Sequence, residues 1–141
     1  MTPEQIKTKY EPRILVILNA MRTALNEAGH NCGESFDMSS DDYRWSMIIN
    51  GDDGSNGINI SFIIAESEYW DGEENGVNFM VDVVEFGGRM LGGLCPYNYS
   101  NKVWVSRDDE DAIEERFRIF EQADPADIIK CVEQSDICPS A

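Results

Sequence analysis

The sequence predicts an α+β fold: an antiparallel four-stranded meander sheet packed by an N-terminal helix and C-terminal helices. Three observations predict it. Apolar residues recur every three or four positions from Ile14 to Ala28, every second position from Trp45 to Val83, and again at helical spacing from Ile113 onward. The alternating runs are separated by turn-forming and acidic stretches instead of crossover helices, so neighbouring strands pair antiparallel. Nothing in the 141 residues reads as a repeat, a low-complexity linker or a boundary, and the chain is read as one domain, 1–141.

The elements follow in order. Thr2-Pro3-Glu4-Gln5 supplies an N-cap, a proline at the first helical position and a capping-box glutamine, so a helix starts there. Pro12 is expected to kink or restart it, because a proline removes an amide donor and crowds the preceding turn. Ile14, Ile17, Leu18, Met21, Leu25 and Ala28 then mark a core-facing stripe that Gly29 ends. Trp45, Met47 and Ile49 form the first inward row of the sheet; Ile58, Ile60, Phe62 and Ile64 the second; Val77, Phe79, Val81 and Val83 the third. Asn50 to Gly54 carries turn chemistry between the first two. Gly87-Gly88 and Gly92-Gly93 bracket a bent or bulged stretch, and Asn101 to Val105 reads as a short fourth strand. Ser106 is expected to cap a helix buried through Ile113, Phe117 and Phe120, and Asp124-Pro125 opens a last helix through Ile128, Ile129 and Val132.

Charge is the other strong signal. The net charge is −16, and it is partitioned: residues 1–25 carry +2, with Lys7, Lys9, Arg13 and Arg22 against Glu4 and Glu11, while residues 26–141 carry −18. Such a field repels nucleic acid and anionic membrane and steers basic partners. At 42% hydrophobic residues the chain can bury a core despite its acidity. No apolar run approaches a membrane span and the N-terminus has no apolar signal region, so the expected location is the cytoplasm, or the host cytoplasm for a viral protein. Four lysines against seven arginines leans toward salt adaptation, whereas abundant Ile and Asn lean against it.

The meander has a topological consequence. Its loops alternate between the two ends of the sheet, so the segment before the first strand, the loop after the second and the exit of the fourth are expected at one end. That gathers Glu34, Asp37, Asp41 and Asp42 with Glu66, Glu68, Asp71, Glu73 and Glu74, and with Asp108, Asp109, Glu110 and Asp111, leaving only Arg44 and Arg107 as nearby counter-charges. Acids at 108–111 profit from a helix dipole by about 0.3–1 kcal/mol each, but the two loops have no such reward. Tyr43, Tyr69 and Trp70 are interleaved with the loop acids and are read either as interface anchors or as packing at the sheet end.

Other chemistry is set aside. Cys32, Cys95, Cys131 and Cys138 lack C-x-x-C spacing and, with the single His30, do not make a zinc set; they read as reduced thiols. Residues from Asp71 to Asp82 imitate a calcium loop, but the last ligand is Asp, position eight is Asn78 and the flanks read as strands. His30 is expected to cap carbonyls at the helix end, and no third group is evident to make it catalytic with Cys32. The 87–93 stretch lacks the order and the lysine of a phosphate cradle. No catalytic residue, metal or cofactor is expected.

These readings point to an acidic protein-binding inhibitor. Its expected partner is a basic protein, one that otherwise holds DNA or RNA, or a nuclease, with no direct nucleic-acid or membrane binding. Carboxylates one helical turn apart lie about 5–6 Å from each other, and those two residues apart on a strand about 6.5–7 Å, which approximates phosphate spacing. Phage anti-restriction and anti-CRISPR proteins and the immunity proteins of nuclease toxins use this device, and the likeness claimed is physical. The alternatives are an adaptor module whose acidity serves solubility, with Ile48, Ile63, Met80 and Val84 forming an outward apolar patch that pairs two copies as a homodimer, and a calcium-dependent enzyme.

Overall fold

The computed structural model describes residues 1–38, 43–51, 56–66, 76–94 and 104–135. The first helix, α1 (Pro3–Glu27), opens on the expected capping box: the Thr2 amide donates to Gln5 Oε1 at 2.8 Å and the Gln5 amide to Thr2 Oγ1 at 3.2 Å. It runs unbroken through Pro12. The helix neither restarts nor divides there, because Ile6 and Tyr10 before the proline and Ile14 and Ile17 after it are all buried in one core, while Pro12 itself faces solvent. Gly29, at φ 94°, ends the helix, and the amides of Gly29 and His30 return to the carbonyls of Asn26 and Leu25.

The sheet is the expected antiparallel meander, with six strands among the described residues where four were expected. Strands β1 (Phe36–Asp37), β2 (Arg44–Asn50), β3 (Gly57–Glu66), β4 (Gly76–Glu85) and β5 (Met90–Leu94) lie side by side in that order, and β6 (Val105–Ser106) joins the β5 edge of β4. The three strands read from alternation are β2, β3 and β4. Their register sets Trp45 opposite Phe62, Met47 opposite Ile60, and Phe62 opposite Val81. The glycine-bracketed stretch is more than a bend. Gly87 and Gly88, both at φ above 100°, turn the chain, and Met90–Leu94 then pairs with β4 through a bulge at Val83/Val84. Of the expected fourth strand, residues 101–103 lie outside the described residues, and pairing with β4 begins at Val105.

Strands β5 and β6 share one edge of β4 without meeting. Leu94 pairs with Val81 and Val105 with Val77, so residues 78–80 have no strand partner on that side among the described residues. Alternation of the ladder points the Phe79 amide into this gap. Asn78 fills it: its Oδ1 accepts from the Phe79 amide at 2.9 Å and from Arg116 Nη1 at 3.4 Å.

Two more helices follow among the described residues, α2 (Glu110–Glu121) and α3 (Pro125–Val132). Asp109, and not Ser106, caps α2, accepting from the Ala112 amide at 3.1 Å, while Ser106 Oγ serves the turn before it by accepting from the Asp108 amide. Asp124 caps α3 as expected. All three helices lie on the face of the sheet that carries Trp45, Met47, Ile60, Phe62, Phe79 and Val83. At the centre Tyr10, Phe62, Phe79, Phe117 and Phe120 meet edge to face or tilted, with centroids 4.6–6.4 Å apart. Each such pair adds about 0.5–1.5 kcal/mol to the burial of its rings.

The opposite face is not the open apolar patch expected for pairing two copies. Ile63 and Met80 are buried there with Ala65, and Trp104 packs against them. Ser46 and Ser61 sit beside them with their hydroxyls 2.8 Å apart. Only Ile48 and Val84 of the four outward positions are partly open.

Candidate functional site

The backbone brings the described strand ends that flank the predicted acidic segments 39–42 and 67–75 to one end of the sheet. Asp37 pairs with Trp45 near the start of β2, β3 ends at Glu66 opposite Val77, and Gly76 pairs with Ser106 just before α2. Met38, Tyr43, Glu66, Gly76 and Ser106 therefore mark the same end. Asp41, Asp42, Glu68, Tyr69, Trp70, Asp71, Glu73 and Glu74 lie outside the described residues, as does the Glu66 side chain.

Asp108, Asp109, Glu110 and Asp111 are exposed at the start of α2 and, with Met1 and Ser106, line an open depression of about 540 Å³. The Met1 amine donates to the Arg107 carbonyl at 2.7 Å and stands 3.5 Å from Asp108. Asp37 is partly engaged elsewhere, since Lys7 Nζ approaches its carboxylate to 3.3 Å. Lys7 also lies 5.8 Å from the Trp45 ring centroid, and the buried Trp45 indole donates to Glu11 at 2.8 Å. The first turns of α1 thus place a cation at the acidic end, which the sequence reading assigned to Arg44 and Arg107 alone.

Glu34 does not join this group. Cys32 bridges to Ile49 and the Gly33 amide donates to the Ile48 carbonyl, so the chain enters the sheet at the far end of β2 and travels along it before reaching Asp37. Glu34 lies midway, beside Leu15, Asn19, Arg22 and Ser35. Tyr43 is half-buried and packs on the main core, in a left-handed conformation at φ 67° that costs a non-glycine residue on the order of 1 kcal/mol. Its carbonyl accepts from the Ile64 amide at 2.9 Å, which fixes the start of β2 against β3. This is the packing role at the sheet end.

Groups suited to covalent chemistry are held away from it. Burial pushes the Cys32 thiol up to about 11, against a smaller opposing pull from Arg22, and its Sγ donates to the Gly33 carbonyl. Burial also raises Cys131. A raised thiol is protonated at neutral pH and a poor nucleophile. His30 does not cap the α1 carbonyls; its ring is buried, with Nε2 3.8 Å from Glu133 and no hydrogen-bond partner for either nitrogen among the described residues. Asp82, the last position of the calcium-like spacing, sits within β4 opposite Ser61 and Gly93. Among the described residues no three His, Cys, Asp or Glu side chains gather as a metal site, and no helix is long and apolar enough to cross a membrane.

Glu114 and Arg118, four residues apart on α2, belong to a tertiary clasp. Glu114 does accept from Arg118 at 3.2 Å, but it also takes both arms of Arg13 at 2.6 and 2.7 Å and the Tyr10 hydroxyl at 3.3 Å. Arg13 reaches Glu121 as well and lies 4.7 Å from the Phe117 centroid, tying α1 to α2. The usable signal was an arginine one residue before a buried stripe, which has no partner on its own helix. Compared with family models, curated proteins and solved structures, the chain matches none.

Proposed function

We propose that the protein is an acidic inhibitor that occupies the basic, nucleic-acid-binding surface of a partner protein. The observation that carries this reading is the convergence of the chain at one sheet end: Asp37, the end of β3 and the start of α2 share it, and the intervening acidic segments leave from and return to it. The exposed carboxylates of Asp108 to Asp111 extend the same surface. Like charges gathered in this way cost folding energy, about 1 kcal/mol for a pair 4 Å apart in water, so a basic partner that relieves the repulsion is favoured on binding.

The test is capture of partners from the native cell on the immobilised chain, followed by salt elution and a competition assay against the partner's own DNA or RNA. The partner is expected to elute with salt and to lose its nucleic acid as the chain is added. Replacing Asp71, Glu73 and Glu74 with lysine, or Asp108 and Asp111 with lysine, is expected to lower the association rate by about tenfold while leaving the fold intact. Binding that is equally strong at low and high salt, or a partner that binds chain and nucleic acid together, would sink the proposal.

A further inference from the structure

The acidic end is one surface; α1 presents another of opposite character. Its buried residues all face the core, and its solvent side carries no charge from Ile14 to Met21. Val16 is 70% exposed, the most open large hydrophobic side chain among the described residues. At 100° per residue, Lys9, Val16, Thr23 and Glu27 fall within about 40° of one line along the helix, with Pro12 and Ala20 just to either side. All six are exposed. Lys9, Val16 and Thr23 are seven residues apart, the spacing of a seam between two helices.

We propose that this face of α1 binds the same face of a second copy, antiparallel and about a two-fold axis at Leu18. The charges on the line choose both the partner and the direction. In the antiparallel arrangement residue numbers facing each other sum to 36, so Lys9 meets Glu27 of the second copy, Glu27 meets its Lys9, and Val16 meets its Ala20. A parallel pair would set lysine against lysine and glutamate against glutamate. One isologous contact of this kind closes on itself and stops at two. The global charge agrees, since residues 1–25 carry +2 and the rest −18, and two such molecules approach at least cost through the segment that carries the net positive charge. Lys9 Nζ, now 5.4 Å from its own Tyr10 ring centroid, is exposed and within a rotamer change of a facing carboxylate. The interface is one helix wide, so the dimer is a weak one.

Sedimentation equilibrium on the full chain up to about 1 mM, a range suited to small interfaces, tests it. The expected species are monomer and dimer only. Val16→Lys is expected to lower the association constant by about tenfold or more, since it sets two charges in the centre of the seam. Lys9→Glu and Glu27→Lys are each expected to weaken association by about fivefold, and the double substitution Lys9→Glu with Glu27→Lys to restore it within about twofold. All these positions are exposed, and circular dichroism checks that each variant folds. Raising salt should strengthen the dimer by screening the long-range repulsion. A monomer at every concentration overturns the proposal, as does a double variant no better than the singles. Association that weakens with salt would mark the acidic end of one copy against α1 of another, and overturns the two-fold arrangement.

Discussion

Glu114 shows how one carboxylate can hold two helices. The paired hydrogen bonds from Arg13 dominate its environment and, with help from Tyr10 and Arg118, hold its carboxyl down at about 2, well below the usual carboxylate range. Arg13 is raised in turn, first by Glu114 and then by Glu121. The sign follows from the direction. A carboxyl that is a stronger acid folded than unfolded stabilises the fold above the unfolded pKa and loses that contribution as pH falls toward the folded one. Solvent reaches one side of the pair, so the contribution is about 1–2 kcal/mol after screening. Glu114→Gln is expected to lower stability by that amount at pH 7, and the gap to the parent should close between about pH 5 and pH 2 in urea titrations. A constant gap across that window would separate Glu114 from the acid response.

Strand β5 owes its place to two glycines that leave no room for a side chain. A Cβ at Gly93 would lie 2.0 Å from the Val81 carbonyl oxygen, a backbone atom fixed by the ladder, whereas one at Gly88 would meet nothing within 4 Å. Gly93→Ala is therefore expected to cost about 1–3 kcal/mol or more in the urea midpoint, with loss of protection at β5 amides in hydrogen exchange. Gly88→Ala, which keeps only the strain of φ +105°, should cost about 1 kcal/mol. Equal losses at both would refute the steric argument. The same element shows where pattern reading stops. Strands β2, β3 and β4 and the three helices announced themselves because each has a long stripe of one period. Met90–Leu94 is two-fifths glycine, and β1 and β6 are two residues each, too short to hold a period. The misplacement of Glu34 follows from the missed β1: a segment read as a loop to the sheet end instead runs the length of β2, spreading its acids along the edge. Ser106 was expected to cap α2, but the turn that closes from the Asp109 amide to the Ser106 carbonyl starts the helix three residues later, where Asp109 caps it.

At the scale of the molecule, a net charge of −16 works against the compact state. Stability is expected to rise as salt increases from about 10 mM to 200 mM, read as a higher melting temperature, because the Debye length shrinks from about 30 Å to under 10 Å across that range. A melting temperature that falls would mean that paired charges such as the Arg13–Glu114 clasp outweigh the general repulsion. The meander order was legible, and with it the sheet end shared by Asp37, the end of β3 and the start of α2; the cation that Lys7 brings there was not, since only the packing of α1 against Asp37 and Trp45 reveals it. The gap between β5 and β6 bears on behaviour in a crowded solution. Among the described residues no strand pairs with residues 78–80 on that side, and a strand border left so ordinarily invites a stranger to add itself and begin a fibril. Here the one amide pointing out of that border is already taken by the amide oxygen next to it, and the guanidinium beyond stands guard, so an intruding strand meets an occupied donor. Losing that oxygen, as in Asn78→Leu, would convert a silent border into a template for aggregation.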